Sequence, residues 1–69
     1  MSNDLFLKQV GERVKNIRQS KGISVRRLGE MCNIDYANLS RFENGKQDIK
    51  ILTLKVIAEQ LKVDLKKLI

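Results

Sequence analysis

The chain has 69 residues with a formal net charge of +6, no histidine, no proline and one cysteine. A chain this short buries one modest core, and Cys32 without a partner cysteine or any histidine excludes an internal disulfide and an ordinary zinc site. No apolar run approaches the ~20 residues of a membrane span, and the start MSNDLFLKQV lacks a signal peptide's basic and apolar regions, so a cytoplasmic protein is expected.

A first helix is predicted from about Asp4 or Leu5 to Ser20, on a stripe of Phe6, Val10, Val14 and Ile17 at helical spacing. Lys21 and Gly22 end it. Ser24 then introduces a second helix over about Val25 to Cys32, because its hydroxyl can accept an orphan amide hydrogen of the first turn. Leu28 and Cys32, four apart, form its buried stripe, and Gly29 beside them lets a neighbouring helix come close, although a mid-helix glycine costs about 1 kcal/mol in propensity. Cys32 on that stripe is a small core hydrophobe, not a redox group. Asn33 is the non-glycine residue that best tolerates a left-handed reversal, and Ile34 plugs the wedge that follows. Asp35 is the N-cap candidate of a third helix over about Tyr36 to Glu43, in which Leu39 and Phe42 face the core. Asn44 and Gly45 open a polar loop through Lys50. A fourth helix follows over about Ile51 to Leu61 on Leu54, Ile57, Ala58 and Leu61, and a short fifth after Asp64 with Leu65 and Leu68. The fold class is therefore all-α, with five helices and residues 1–69 as a single domain, since no repeat, linker or low-complexity tract interrupts it.

Two short helices meeting at a sharp turn make a helix-turn-helix, whose second helix enters the major groove of DNA by its amino-terminal face. With Leu39 and Phe42 turned inward, Tyr36, Ala37, Ser40 and Arg41 face outward as the base-reading candidates. Arg41 can donate a bidentate pair to guanine O6 and N7, whereas Ala37 can only pack against a thymine methyl. For Tyr36 two readings stand, a ring against sugars or a methyl and a ring covering the helix edge. Between Arg13 and Gly29 there are six basic residues, Arg13, Lys15, Arg18, Lys21, Arg26 and Arg27, and no acidic one. Such a strip suits a phosphate backbone, and ordinary solvated helix faces are the competing reading.

Residues 25 to 44 resemble the helix-turn-helix of lambda-repressor-like, Xre/Cro-type transcriptional regulators. Gly29, Asn33, Leu39 and Phe42 stand where that family's pattern expects them, and Arg41 to Gly45, RFENG, is similar to its recognition-helix end. Ile17 to Gly22 and Thr53 to Leu65 extend the likeness to nearly the whole chain. The sequence departs at Val25, where the family usually has a phosphate-contacting glutamine that is not carried over here, and at Asn33, usually glycine. The resemblance implies a compact five-helix domain that binds double-stranded DNA sequence-specifically as a repressor or autoregulatory controller, associated with the nucleoid of a bacterial or phage-infected cell. Resemblance and charge together assign Arg26, Arg27, Asn44 and Lys46 to phosphates, with Asn38 at the groove wall, contacts that set register without reading sequence. The resemblance further implies a partly buried ion pair between Arg18 and Glu43. The alternative is Arg18 as a phosphate ligand beside a solvated Glu43.

An enzyme is not expected, because there is no histidine base and no glycine-rich phosphate loop, and the carboxylates are scattered singly. No cofactor, metal or small-molecule ligand is implied. The competing function is a protein-interaction adaptor or antitoxin component built on the same fold, which would call for an apolar or acidic face on the third helix. Regulators of this size usually pair two domains ~34 Å apart across a palindromic operator. Val63, Leu65, Leu68 and Ile69 are the expected homodimer surface, unless they simply cap the core.

Overall fold

A computed structural model describes residues 3–69, in which four α-helices, α1 (Asn3–Ser20), α2 (Val25–Cys32), α3 (Tyr36–Glu43) and α4 (Ile51–Leu61), precede a 3₁₀ turn at Leu65–Lys67. No strand occurs among the described residues. Helix α1 packs on α3, α2 lies against both α3 and α4, and α4 carries the 3₁₀ turn. All of them meet in one core, from Val10 and Val14 of α1, through Leu28 and Cys32 of α2 and Leu39 and Phe42 of α3, to Leu54, Ile57, Ala58 and Leu61 of α4. Burial pushes the Cys32 thiol up from its ordinary value, so the group stays protonated and apolar.

The expected fifth helix is not formed. Lys62 turns left-handed at φ 60° and stops α4, with Val63 N–H donating to the Ala58 carbonyl at 3.0 Å. The chain then bends through bonds from Lys67 N–H to the Asp64 carbonyl and from Leu68 N–H to the Leu65 carbonyl, both 2.9 Å. In this tight winding residues three apart eclipse each other, so Leu65 and Leu68 turn to the same side, toward the core. Leu68 is fully buried there and is removed from the expected dimer surface, while Val63 and Leu65 are partly buried against the core and Ile69 is exposed.

The α1 stripe also differs from the spacing of its large apolar residues. Val10, Gly11, Val14 and Arg18 are its buried residues, Leu7 and Ile17 flank them, and Phe6 is exposed. The helical period carries Phe6 off the face that Gly11 and Arg18 share, and neither of those two belongs to an apolar pattern.

Local signals hold at the turn between α2 and α3. Ser24 Oγ accepts from Arg27 N–H at 3.0 Å, and Asn33 is left-handed at φ 57° and ψ 45°. Asp35 stands at the N-cap position of α3 but its side chain makes no capping hydrogen bond. Its carbonyl takes the Leu39 N–H at 3.0 Å, and the carboxylate contributes by its charge at a helix amino terminus. Gly29 is required by contact, since a Cβ there would sit 2.7 Å from the Ile34 carbonyl oxygen. Gly11 is more severely confined. A Cβ on it would lie 2.2 Å from the Phe42 carbonyl oxygen and 3.0 Å from that of Glu43, both backbone atoms that cannot rotate away. Gly11→Ala therefore forces α1 and α3 apart, and we expect a loss of about 3 kcal/mol or more, at the upper end of overpacking effects, measurable by chemical denaturation. A melt matching the parent would mean that the helices part at no cost.

Candidate nucleic-acid interface

The orientation of α3 is set from beneath. Leu39 and Phe42 are buried and Glu43 is 5% exposed, so the opposite side of this short helix is turned to solvent. Tyr36 is 45% exposed, Arg41 is exposed, and Ala37, Asn38 and Ser40 are half-buried along the same helix. The four expected base-reading residues thus lie away from the core, immediately after the turn that Asn33 makes.

Glu43 is held by Arg18. The guanidinium donates from Nε to Glu43 Oε2 at 2.8 Å and from Nη2 to Oε1 at 2.9 Å, while Nη1 donates to the Ile23 carbonyl at 2.7 Å. One side chain thereby ties the end of α1, the loop before α2 and the last residue of α3. The geometry is a two-pronged charge-assisted contact with both side chains less than a tenth exposed. Arg18 consequently leaves the basic strip, so the reading that made it a phosphate ligand fails. Arg13 is engaged as well, donating from Nη1 to the Ile69 carbonyl oxygen at 2.7 Å.

The outward residues are partnered among themselves. Arg26 places its guanidinium carbon 4.6 Å from the centroid of the Tyr36 ring, a cation–π contact that joins α2 to the start of α3. The Tyr36 ring thus packs on α2 through Arg26 while nearly half of the residue stays exposed, an arrangement that fits both readings given for it. Arg27 lies 3.7 Å from Glu30 with both side chains mostly exposed, a screened pair that leaves its charge available to solvent. Arg41 donates from Nε to Gln47 Oε1 at 2.9 Å and from Nη2 to Asn38 Oδ1. Asn38 is thereby engaged with Arg41 through its carbonyl oxygen. Beyond α3, Gly45 at φ +74° closes the helix, and Lys46 N–H donates to the Arg41 carbonyl at 2.9 Å, leaving the Asn44 and Lys46 side chains exposed at that end. Gln47 lies outside the expected site, because a loop residue six positions from Arg41 belongs to no periodic pattern.

A short helix presented after a left-handed turn, buried on one side and carrying polar and basic groups on the other, defines a helix-turn-helix of the DNA-binding class. Residues 14–68 match the helix-turn-helix family HTH_3. The chain belongs to this Xre/lambda-repressor-like family of DNA-binding transcriptional regulators, which are not enzymes. It is 33% identical over 58 residues to the HTH-type transcriptional repressor RghR of Bacillus subtilis (strain 168), covering 83% of this chain and 43% of that protein. The chain thus spans less than half the length of this curated relative. Among solved structures it is similar to the biofilm-formation master regulator SinR in complex with DNA, with 30% identity, a TM-score of 0.81, and coverage of 86% of this chain and 95% of that one. The restriction-modification controller protein C.AhdI from Aeromonas hydrophila, 22% identical with a TM-score of 0.88 and covering 91% of this chain and 96% of that one, shares the fold. Among the described residues no helix is long and apolar enough to cross a membrane.

Because Arg18 is buried, truncating its partner strands a desolvated cation. Glu43→Ala is expected to cost ~3–5 kcal/mol, read as a fall in the denaturation midpoint, with Glu43→Gln costing less because it keeps one acceptor oxygen. An alanine variant as stable as the parent would show that the pair contributes nothing to holding α3.

Proposed function

We propose that this chain is a sequence-specific regulator of transcription, a repressor or autoregulatory controller, that reads the major groove of double-stranded DNA with the exposed face of α3. The observation that carries this reading is the division of α3 itself, with Leu39 and Phe42 buried while Tyr36 and Arg41 stand in solvent and Ala37 and Ser40 lie between them. Arg41 pairs with a guanine through O6 and N7, Ala37 meets a thymine methyl, and the Ser40 hydroxyl takes either a donor or an acceptor. Tyr36, backed by Arg26, lays its ring against a sugar or methyl. Arg26, Arg27, Asn44 and Lys46 meet phosphates and fix the register, with the amide of Asn38 at the groove wall. The DNA complex of SinR and the repressor name of RghR support the assignment. An adaptor surface would be apolar or acidic at α3, and here it is polar and basic.

Two copies, in this reading, pair on an inverted repeat on the nucleoid of a bacterial or phage-infected cell. Of the four dimer candidates Ile69 is the exposed one, and it lines an apolar hollow together with Phe6 and Ile51, which is 60% exposed. Selection from a random duplex pool at ~0.15 M salt is expected to enrich an inverted repeat, because charge attraction alone binds without regard to sequence. No enrichment would favour the adaptor or antitoxin role. On the enriched site, Arg41→Ala should lose roughly 5- to 100-fold discrimination at one base pair per half-site. Lys46→Ala should instead weaken binding to every sequence alike and lower the salt slope by about 1. Ile51→Lys combined with Ile69→Lys should sediment as a monomer without loss of fold; sedimentation like the parent rejects this surface as the pairing face.

A further inference from the structure

An arginine on a helix surface ordinarily surrenders its rotamer freedom when it meets a base edge, and that loss subtracts from both affinity and discrimination. In Arg41 the guanidinium is already held by two side-chain acceptors. Gln47 Oε1 accepts from its Nε at 2.9 Å, and Asn38 Oδ1, one turn earlier on α3, accepts from its Nη2. Gln47 is itself anchored by the backbone that leads to it. The Gly45 N–H donates to the Phe42 carbonyl at 3.0 Å and the Lys46 N–H to the carbonyl of Arg41 at 2.9 Å, so the loop turns back on the residue it braces.

The arithmetic of donors gives these bonds a purpose. A guanidinium has five N–H groups in a fixed fork. One on Nε and one on Nη2 are taken, which leaves three donors, enough in number for a bidentate pair. Both acceptors are neutral amide oxygens, so they orient the fork without neutralising its charge, as a carboxylate would. We infer that Gln47 is a positioning residue for base recognition. Together with Asn38 it aims Arg41 at one guanine, and it sets specificity there without touching the base.

This inference rests on the reading of α3 as the base-reading helix, and the experiment separates the two. Relative affinities are measured for the parent, Arg41→Ala, Gln47→Ala and Gln47→Glu on the selected duplex and on single-base-pair variants of it. Arg41→Ala identifies the guanine; if it erases no preference at any position, the reading of α3 fails and this inference with it. Given that guanine, Gln47→Ala is expected to lower the preference there roughly three- to tenfold, a part of what a full bidentate pair supplies, while preferences elsewhere and the thermal melt stay unchanged. Gln47→Glu keeps the acceptor oxygen and should recover part of the preference lost in Gln47→Ala, only part because its carboxylate also offsets the charge of the fork and weakens binding to every duplex. In the free protein, ¹⁵N relaxation at Arg41 Nε should show increased motion in Gln47→Ala. An unchanged preference overturns the inference. So does a loss spread over all positions, which would make Gln47 a direct DNA ligand, and so does tighter binding, which would make the contacts a restraint that DNA must break.

Discussion

The buried contact between Arg18 and Glu43 is the constraint on which the arrangement of this domain depends. Glu43 is the last residue of α3, and its carboxylate meets the guanidinium through two bonds at 2.8 and 2.9 Å, while the third nitrogen of Arg18 holds the Ile23 carbonyl. Two charges taken out of water gain little net stability, because desolvation offsets their attraction. Geometry is what they specify. An apolar contact would let the end of α3 slide at small cost, whereas a fork-to-carboxylate pair has one good orientation, which holds the carboxyl-terminal end of α3 in place. The pair also neutralises an acidic group at the end of α3.

Two glycines make the same arrangement possible by absence. Gly11 lets α1 rest on the carbonyls that end α3, and Gly29 lets α2 approach the turn that starts it, so α3 is gripped at both ends by backbone contact. With its ends fixed, the helix can afford an outer face chosen for chemistry instead of stability. Tyr36 under Arg26, and Arg41 between Asn38 and Gln47, are exposed groups with their directions already set. Such preorganisation is what a recognition surface needs, since every rotamer fixed beforehand is one that binding does not have to fix.

Much of this was legible in the residues. The Ser24 cap, the left-handed Asn33, the paired Leu39 and Phe42, and the stripe of Leu54, Ile57, Ala58 and Leu61 are local or periodic features, and local features survive tertiary context when the core confirms them. Where the reading failed, the cause was a residue used against its type. Phe6 is large and apolar yet exposed, Gly11 and Arg18 are buried on that helix instead, and Asp35 occupies a capping position without its side chain capping. Of the two roles open to Leu68, dimer surface and core cap, the 3₁₀ turn leaves the second by folding the side chain inward.

The sequence by itself determined the four α-helices, with the boundaries of α2, α3 and α4 and the end of α1, the turn between α2 and α3 and the division of α3 into inner and outer faces, because propensity, capping and periodicity act over a few residues. It also carried the charge and the family pattern that point to DNA. Only the tertiary structure decided that Arg18 is a structural residue and not part of a basic strip, that Gly11 marks a helix crossing, and that Gln47 braces Arg41. The first two outcomes depend on which distant segments come within bonding distance, 25 residues apart for Arg18 and Glu43, which no local pattern encodes, and the third depends on how the loop after α3 turns back toward a residue six positions away.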